Sequence, residues 1–123
     1  MSRDSLDRFG KFLIESLRDR AIAHYEGLEH EQWKSSSLIS LQKELHSLSN
    51  EEKAIVKKCV ISAIDVGIHD FLFRLQEFGE YDKSIQVIMD GEDIIHLSHG
   101  LNGELFGKNG WVIKFSKYES TQE

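Results

Sequence analysis

The chain has 123 residues with a single cysteine and no proline, and its formal charge is −6. This length suffices for one domain with its own core, and a hydrophobic share of 40% is typical of globular chains. The acidic balance excludes a broad phosphate-binding surface, because nucleic-acid binding depends on clustered lysines and arginines. One cysteine cannot form an internal disulfide, and no apolar run reaches the ~18 residues of a membrane span. We therefore expect a cytoplasmic protein without nucleic-acid or membrane partners.

The first predicted element is a helix from Asp4 to Glu26, with Gly27 as its expected C-terminal cap. Its apolar positions share one face, formed by Leu6, Phe9, Leu13, Leu17, Ala21 and Tyr25. A short second helix is predicted from Ser37 through Leu48. Trp33 lies between these helices among charged residues, so we interpret it as an aromatic contact for a partner.

The third predicted helix, from Ser49 to Phe78, is the longest element of the chain. Ser49 followed three residues later by Glu52 is a capping box, which marks the start of a helix. The main apolar stripe consists of Val56, Val60, Ala63, Gly67, Phe71, Leu75 and Phe78. Because further apolar residues widen this stripe, we expect the helix to be covered on more than one side and Cys59 to be buried.

The spacing of apolar residues changes to every second position after Gly79, which indicates strands. Two turn signals follow, Asp90-Gly91 and Asn109-Gly110. They predict one hairpin after a strand Ser84–Met89 and another before a strand Trp111–Lys117. The face of the last strand that is expected to pack on the central helix consists of Trp111, Ile113 and Phe115.

These elements predict one α+β domain over residues 1–123. Three N-terminal helices in residues 1–79, with the long central helix among them, pack on a C-terminal antiparallel meander of three or four strands. The sheet part occupies residues 80–119, and residues 120–123 form a frayed tail.

The central helix carries one candidate for acid–base chemistry, formed by Asp65, His69 and Asp70. A histidine held by a carboxylate is what a general base requires. The sequence places no serine or cysteine nucleophile against it, so we assign no catalytic residues. A small enzyme built around these three side chains stays open as an alternative.

Metal and nucleotide sites are not expected either. Asp93, His96 and His99 alternate between the two faces of a strand, so they do not converge on one ion. The glycine-rich stretch 100–110 lacks the spacing of a phosphate-binding loop, and its glycines are typical of turns. We therefore predict no metal and no cofactor.

The segments IHDFLF (68–73) and GELFGKNGWVIKFSKY (103–118) resemble those of small acidic immunity proteins from bacterial toxin systems. The resemblance implies an acidic surface that docks on a basic toxin domain and occludes its active site. The acidic excess fits this, because residues 80–123 hold eight Asp and Glu against four Lys and Arg. The residues proposed to contact the partner are Glu80, Asp82, Asp90, Glu92, Asp93 and Glu104, with Trp33 as an aromatic contact. A homodimer formed through the apolar central helix is a further alternative.

Overall fold

The computed structural model describes residues 2–82 and 84–119, which are mostly helical. The helices are α1 (Ser2–Leu13), α2 (Asp19–Glu29), α3 (Ser36–His46), α4 (Asn50–Glu77), α5 (Ile94–Leu97) and α6 (Trp111–Phe115). Strands β1 (Ile88–Met89) and β2 (Glu92–Asp93) form one antiparallel pair. The chain is therefore α-rich with a minor β part, and the predicted meander of three or four strands is wrong for the described residues.

A π-helical turn over Ile14–Arg18 joins α1 to α2, so that residues 2–29 form one continuous helical stretch. A π turn holds more residues than an α turn, which moves the buried face along the sequence. After Ile14 the core face continues at Arg18, which is fully buried, and not at Leu17, which is 45% exposed. The predicted stripe therefore fails at this turn.

Helix α4 begins at the predicted capping box. The Glu52 amide donates to Ser49 Oγ at 3.1 Å, and the Ser49 amide donates to Glu52 Oε1 at 2.8 Å. The covered face differs from the predicted stripe, since it is formed by Ile61, Asp65, Ile68, Leu72, Leu75 and Gln76. Ala63, Gly67 and Phe71 of the predicted stripe are exposed, and so is Cys59, which was expected to be buried.

The predicted hairpin at Asp90-Gly91 forms, but its first strand is Ile88–Met89 and not the predicted Ser84–Met89. Both residues have positive φ, 55° and 80°, as a two-residue hairpin turn requires. The returning strand is short because the Asp93 side chain accepts a hydrogen bond from the Ile95 amide at 3.1 Å and starts α5.

The second predicted hairpin is wrong. Gly110 has φ −73° and precedes α6, so Trp111–Phe115 is a helix where a strand was expected. Trp111 and Val112 are both buried, whereas Ile113 is 68% exposed. Burial of two consecutive residues does not fit the alternation of a half-buried strand.

The main core lies between α1, the second half of α4 and the segment from α5 to α6. Its buried members are Leu6, Leu13, Ile14, Ile68, Leu72, Leu75, Ile94, Ile95, Leu101, Leu105, Trp111 and Val112. Gln76 connects α4 to this segment, because its buried amide accepts from the Leu101 amide at 2.9 Å and donates to the Ile95 carbonyl at 3.0 Å. These contacts bring the acidic C-terminal third against the first turns of α1.

Candidate protein-binding surfaces

The fold gathers the six predicted acidic contact residues around one end of the molecule, called here the acidic end. The acidic end is defined by Glu80, Asp82, Asp90, Glu92, Asp93 and Glu104. Helix α1 meets three of them with side chains from its first two turns, and the other three lie near the end of α4 or at the start of α5.

Two residues of the acidic end are neutralised by arginines of α1. Arg8 Nη1 donates to both carboxylate oxygens of Asp90, at 2.6 and 2.7 Å. Arg3 Nη1 lies 2.9 Å from Glu104 Oε1, and the other oxygen of Glu104 accepts from the Ser98 hydroxyl at 2.8 Å. Asp90 and Glu104 therefore hold α1 to the C-terminal segment and contribute little negative field.

The other four carboxylates accept hydrogen bonds from neutral donors. Glu80 accepts from the Gln76 amide at 3.2 Å, and Asp82 accepts from the Ser84 hydroxyl at 3.1 Å. Glu92 accepts from the Ser5 hydroxyl at 3.1 Å. Asp93 caps α5, with His96 Nε2 at 3.7 Å from its second oxygen. A neutral donor fixes the direction of a carboxylate without cancelling its charge, and among the described residues these four have no lysine or arginine partner.

Trp33 lies elsewhere, in the connection between α2 and α3. Its indole nitrogen donates to the His24 carbonyl at 3.0 Å, and its backbone exchanges two 2.9 Å hydrogen bonds with the buried Gln42 amide. Gly27 is not the C-terminal cap that was predicted, because α2 continues to Glu29. Gly27 instead leaves room for the Trp33 indole, which a Cβ at position 27 would overlap. Trp33 is 38% exposed. From His24 to Ser5 at the acidic end the helical stretch covers 19 residues, or roughly 28 Å, so Trp33 does not join the acids.

A cleft of about 230 Å³ lies beside the predicted acid–base residues and is lined by Asp65, Val66, His69, Asp70 and Phe106. His69 Nδ1 is 3.1 Å from Asp70 Oδ1, and His69 Nε2 is 3.4 Å from the Asn102 amide nitrogen. Asp65, which was predicted to pair with His69, forms an ion pair with Arg18. Among the residues that the structure describes, the lining contains no serine, threonine or cysteine whose hydroxyl or thiol could act as a nucleophile in covalent catalysis.

The ion pair of Arg18 and Asp65 is the feature that sequence reasoning missed. Arg18 Nε donates to Asp65 Oδ1 at 2.6 Å and Arg18 Nη2 to Asp65 Oδ2 at 3.2 Å, and both residues are at most 1% exposed. The guanidinium also donates to Ser116 Oγ and to the carbonyls of Tyr118 and Glu119. It therefore ties the middle of the first helical stretch to α4 and to the segment after α6.

Hydrogen bonds and partial burial shift the pKa values of Asp7, Glu26 and Tyr25 from their usual values. Partial burial acts to raise the pKa of Asp7, but hydrogen bonds from Trp111 and Lys114 outweigh it and hold that pKa below its usual value. A hydrogen bond from Tyr118 is the main cause that lowers the pKa of Glu26. Burial, together with the neighbouring Glu29 carboxylate, raises the pKa of Tyr25 to about 12.

A strip of exposed apolar and small residues follows the i, i+4 row of α4 and winds from one side of its outward face to the other. This outer strip of α4 is defined by Ile55, Cys59, Ala63, Val66, Gly67 and Phe71, all of which are exposed. All of these residues except Val66 belong to the apolar pattern that the sequence predicts to be covered. The outer strip is therefore a second candidate surface for binding another protein.

Within residues 2–82 and 84–119, no three His, Cys, Asp or Glu side chains are grouped so that they could hold a metal ion. No helix of these ranges is both long enough and apolar enough to cross a bilayer. Neither protein-family models nor curated proteins nor solved structures give a match to this chain.

Proposed function

We propose that the protein is a non-catalytic protein-binding module of the immunity type, which docks on a basic toxin domain in the cytoplasm and occludes the active site of that domain. The acidic end supports this proposal, because four of its carboxylates accept hydrogen bonds from neutral donors and, among the described residues, have no lysine or arginine partner. A negative surface of this kind steers a basic partner into contact and makes its association sensitive to salt.

Glu80 and Asp82 are the exposed members of this group of four, while Glu92 and Asp93 are half-buried. We therefore place the centre of the docking surface at Glu80 and Asp82. A partner that also touched Trp33 would have to extend roughly 28 Å along the first helical stretch, so Trp33 lies outside this surface.

The test measures binding to the product of the neighbouring open reading frame, at low and at physiological salt. The variant Glu80→Lys/Asp82→Lys should slow association about tenfold or more, with the largest loss at low salt. Glu15→Lys/Glu44→Lys is the matched control, because it changes the net charge equally at exposed positions of the first helical stretch and α3. Association of the control should stay within about twofold of the parent.

Absence of binding by the neighbouring product would contradict the immunity role. An equal loss in both variants would show that net charge, and not the acidic end, governs association. Inhibition of the toxin activity of that product, lost in the first variant only, is the expected result of an occlusion mechanism.

A further inference from the structure

The outer strip of α4 lies in solvent along much of the helix. The exposed fractions are 62% for Ile55, 49% for Val66 and 55% for Phe71. Helices of globular proteins usually bury such a stripe against another element. The other face of α4 already packs on the core, so this strip is available to a second molecule.

Gly67 in the middle of the strip has no function in the packing of its own chain. Glycine inside a helix costs about 0.5–1 kcal/mol relative to alanine. A Cβ at Gly67 would meet no atom within 4 Å. With Ala63 one turn earlier, Gly67 instead allows the axis of another helix to approach closely, because the distance between helix axes depends on the side chains at the contact.

We propose that the occupant of the outer strip is a second copy of this chain, whose α4 packs antiparallel on the first with the two-fold axis at Ala63. Residues equally far from Ala63 on either side then face each other. Cys59 lies opposite Gly67 of the second copy. Ile55 and Phe71 are eight residues from Ala63, which is about 80° around the helix, so they flank the contact. The pair of Cys59 and Gly67 sets a larger side chain against a smaller one and occurs twice, as an isologous interface requires.

Charge selects the antiparallel direction. Eleven residues on either side of Ala63 stand Glu52 and Arg74, so the antiparallel pairing places opposite charges together twice in the dimer. Both residues are exposed, and Arg74 also lies near Glu77 in its own chain, at 3.8 Å. A parallel pairing would set Glu52 against Glu52 and Asp70 against Asp70, which is unfavourable. In the antiparallel dimer Asp70 instead lies about one turn from Lys53 of the second copy.

The size of the strip predicts a weak dimer. The strip runs from Ile55 to Phe71, or about 24 Å, so a contact about 10 Å wide buries on the order of 240 Å² per copy, which is below the range of standard interfaces and is the size of a weak contact. We therefore expect a dissociation constant of roughly 10–100 μM. The C-terminal ends of the two α4 helices point apart, so both acidic ends stay uncovered and the dimer does not depend on the proposed function.

Sedimentation equilibrium from 5 to 500 μM tests the dimer. The parent should change from monomer to dimer over this range, and Ala63→Arg should remain a monomer because the new side chain occupies the two-fold axis. Ile113→Arg is the matched control, since Ile113 is 68% exposed on α6 and lies outside the strip. It should dimerise like the parent. A parent that remains a monomer at 500 μM, or an Ala63→Arg variant that dimerises normally, overturns the proposal.

A charge exchange tests the register. Glu52→Arg and Arg74→Glu should each weaken dimerisation about tenfold, and the double variant should recover to within about threefold of the parent. Glu52 also belongs to the capping box, so circular dichroism must show that the helix content of each variant is unchanged. As a second readout, Ala63→Cys in a Cys59→Ser background should form a disulfide-linked dimer on oxidation. Cys59 alone should not, because its two copies lie about 12 Å apart along the axis. A double variant weaker than either single one, or linkage through Cys59 alone, refutes this register.

Discussion

Replacement of Arg18 by methionine is the most informative change to the stability of this fold. Arg18 is completely buried, and its guanidinium makes two hydrogen bonds to Asp65 and three to the segment 116–119. Arg18→Met keeps the apolar stem but leaves the Asp65 carboxylate buried without this charged partner.

Breaking a buried ion pair by removing one partner costs about 3–5 kcal/mol. The Tyr118 and Glu119 carbonyls add little, because their bonds are only partly buried and water can replace the donor. The free energy of unfolding of a domain is about 5–15 kcal/mol, so the variant should lose a large part of it. The corresponding fall in Tm is about 10–20 °C.

Urea unfolding at pH 7, followed by circular dichroism, measures this loss. Arg20→Met is the control for the same side-chain change at an exposed position two residues later, and should cost less than about 0.5 kcal/mol. The double variant Arg18→Met/Asp65→Leu removes both charges and should regain most of the stability, because hydrophobic pairs often replace buried ion pairs without loss. A cost below about 1 kcal/mol for Arg18→Met, or a double variant no more stable than the single one, would refute the reasoning.

Three further predictions concern single contacts. In thermal unfolding at low micromolar concentration, Gly10→Ala should lower the free energy of unfolding by about 1–3 kcal/mol, because its Cβ would overlap the Trp111 ring. Gly67→Ala should raise the free energy of unfolding by about 0.5–1 kcal/mol, because its Cβ has open space. Equal effects of the two variants would contradict the packing. The pKa of Asp7 is lowered on folding, so its contribution to stability is present above its unfolded pKa of about 4 and is lost as pH falls through the folded pKa. The Tm difference between Asp7→Asn and the parent should therefore shrink from pH 6 to pH 3, and a constant difference would count against this. Gln76→Leu leaves the buried Leu101 amide without its acceptor and should lower the free energy of unfolding in urea by about 1–3 kcal/mol. An unchanged free energy of unfolding would contradict this prediction.

The features that could be predicted from sequence are those determined within a few residues. The Ser49–Glu52 capping box and the Asp90-Gly91 turn depend on side chains and dihedral angles of adjacent residues, and both are confirmed. The length of the central helix follows from its uninterrupted apolar pattern. Its buried face does not follow from that pattern, because apolar residues surround the helix and only the position of the other segments decides which are covered.

The wrong predictions concern residues whose conformation is determined by distant contacts. Val112, Ile113 and Phe115 have high strand propensity, yet burial of Trp111 against α1 and of Val112 beside it requires a helix. The π turn after Leu13 has no local signature, so Arg18 could not be assigned to the core.

The acidic residues of the candidate surface could be identified from sequence, but their partners could not. The sequence gives the charges of residues 80–104, whereas only the fold brings Arg8 to Asp90 across 82 positions of the chain. The same holds for Glu104 and Arg3. Which carboxylates keep their charge is therefore a property of the tertiary structure.

The distance in sequence between α1 and its contacts has a consequence for synthesis of the chain on the ribosome. Asp7 receives hydrogen bonds from Trp111 and Lys114, more than one hundred residues later. Part of the apolar face of α1 can be covered by α4 and α5 as they emerge, but the contact with Trp111 must wait until α6 has left the ribosome. Contacts between residues so far apart in sequence slow folding, so the part of α1 that faces Trp111 stays exposed for longest during synthesis.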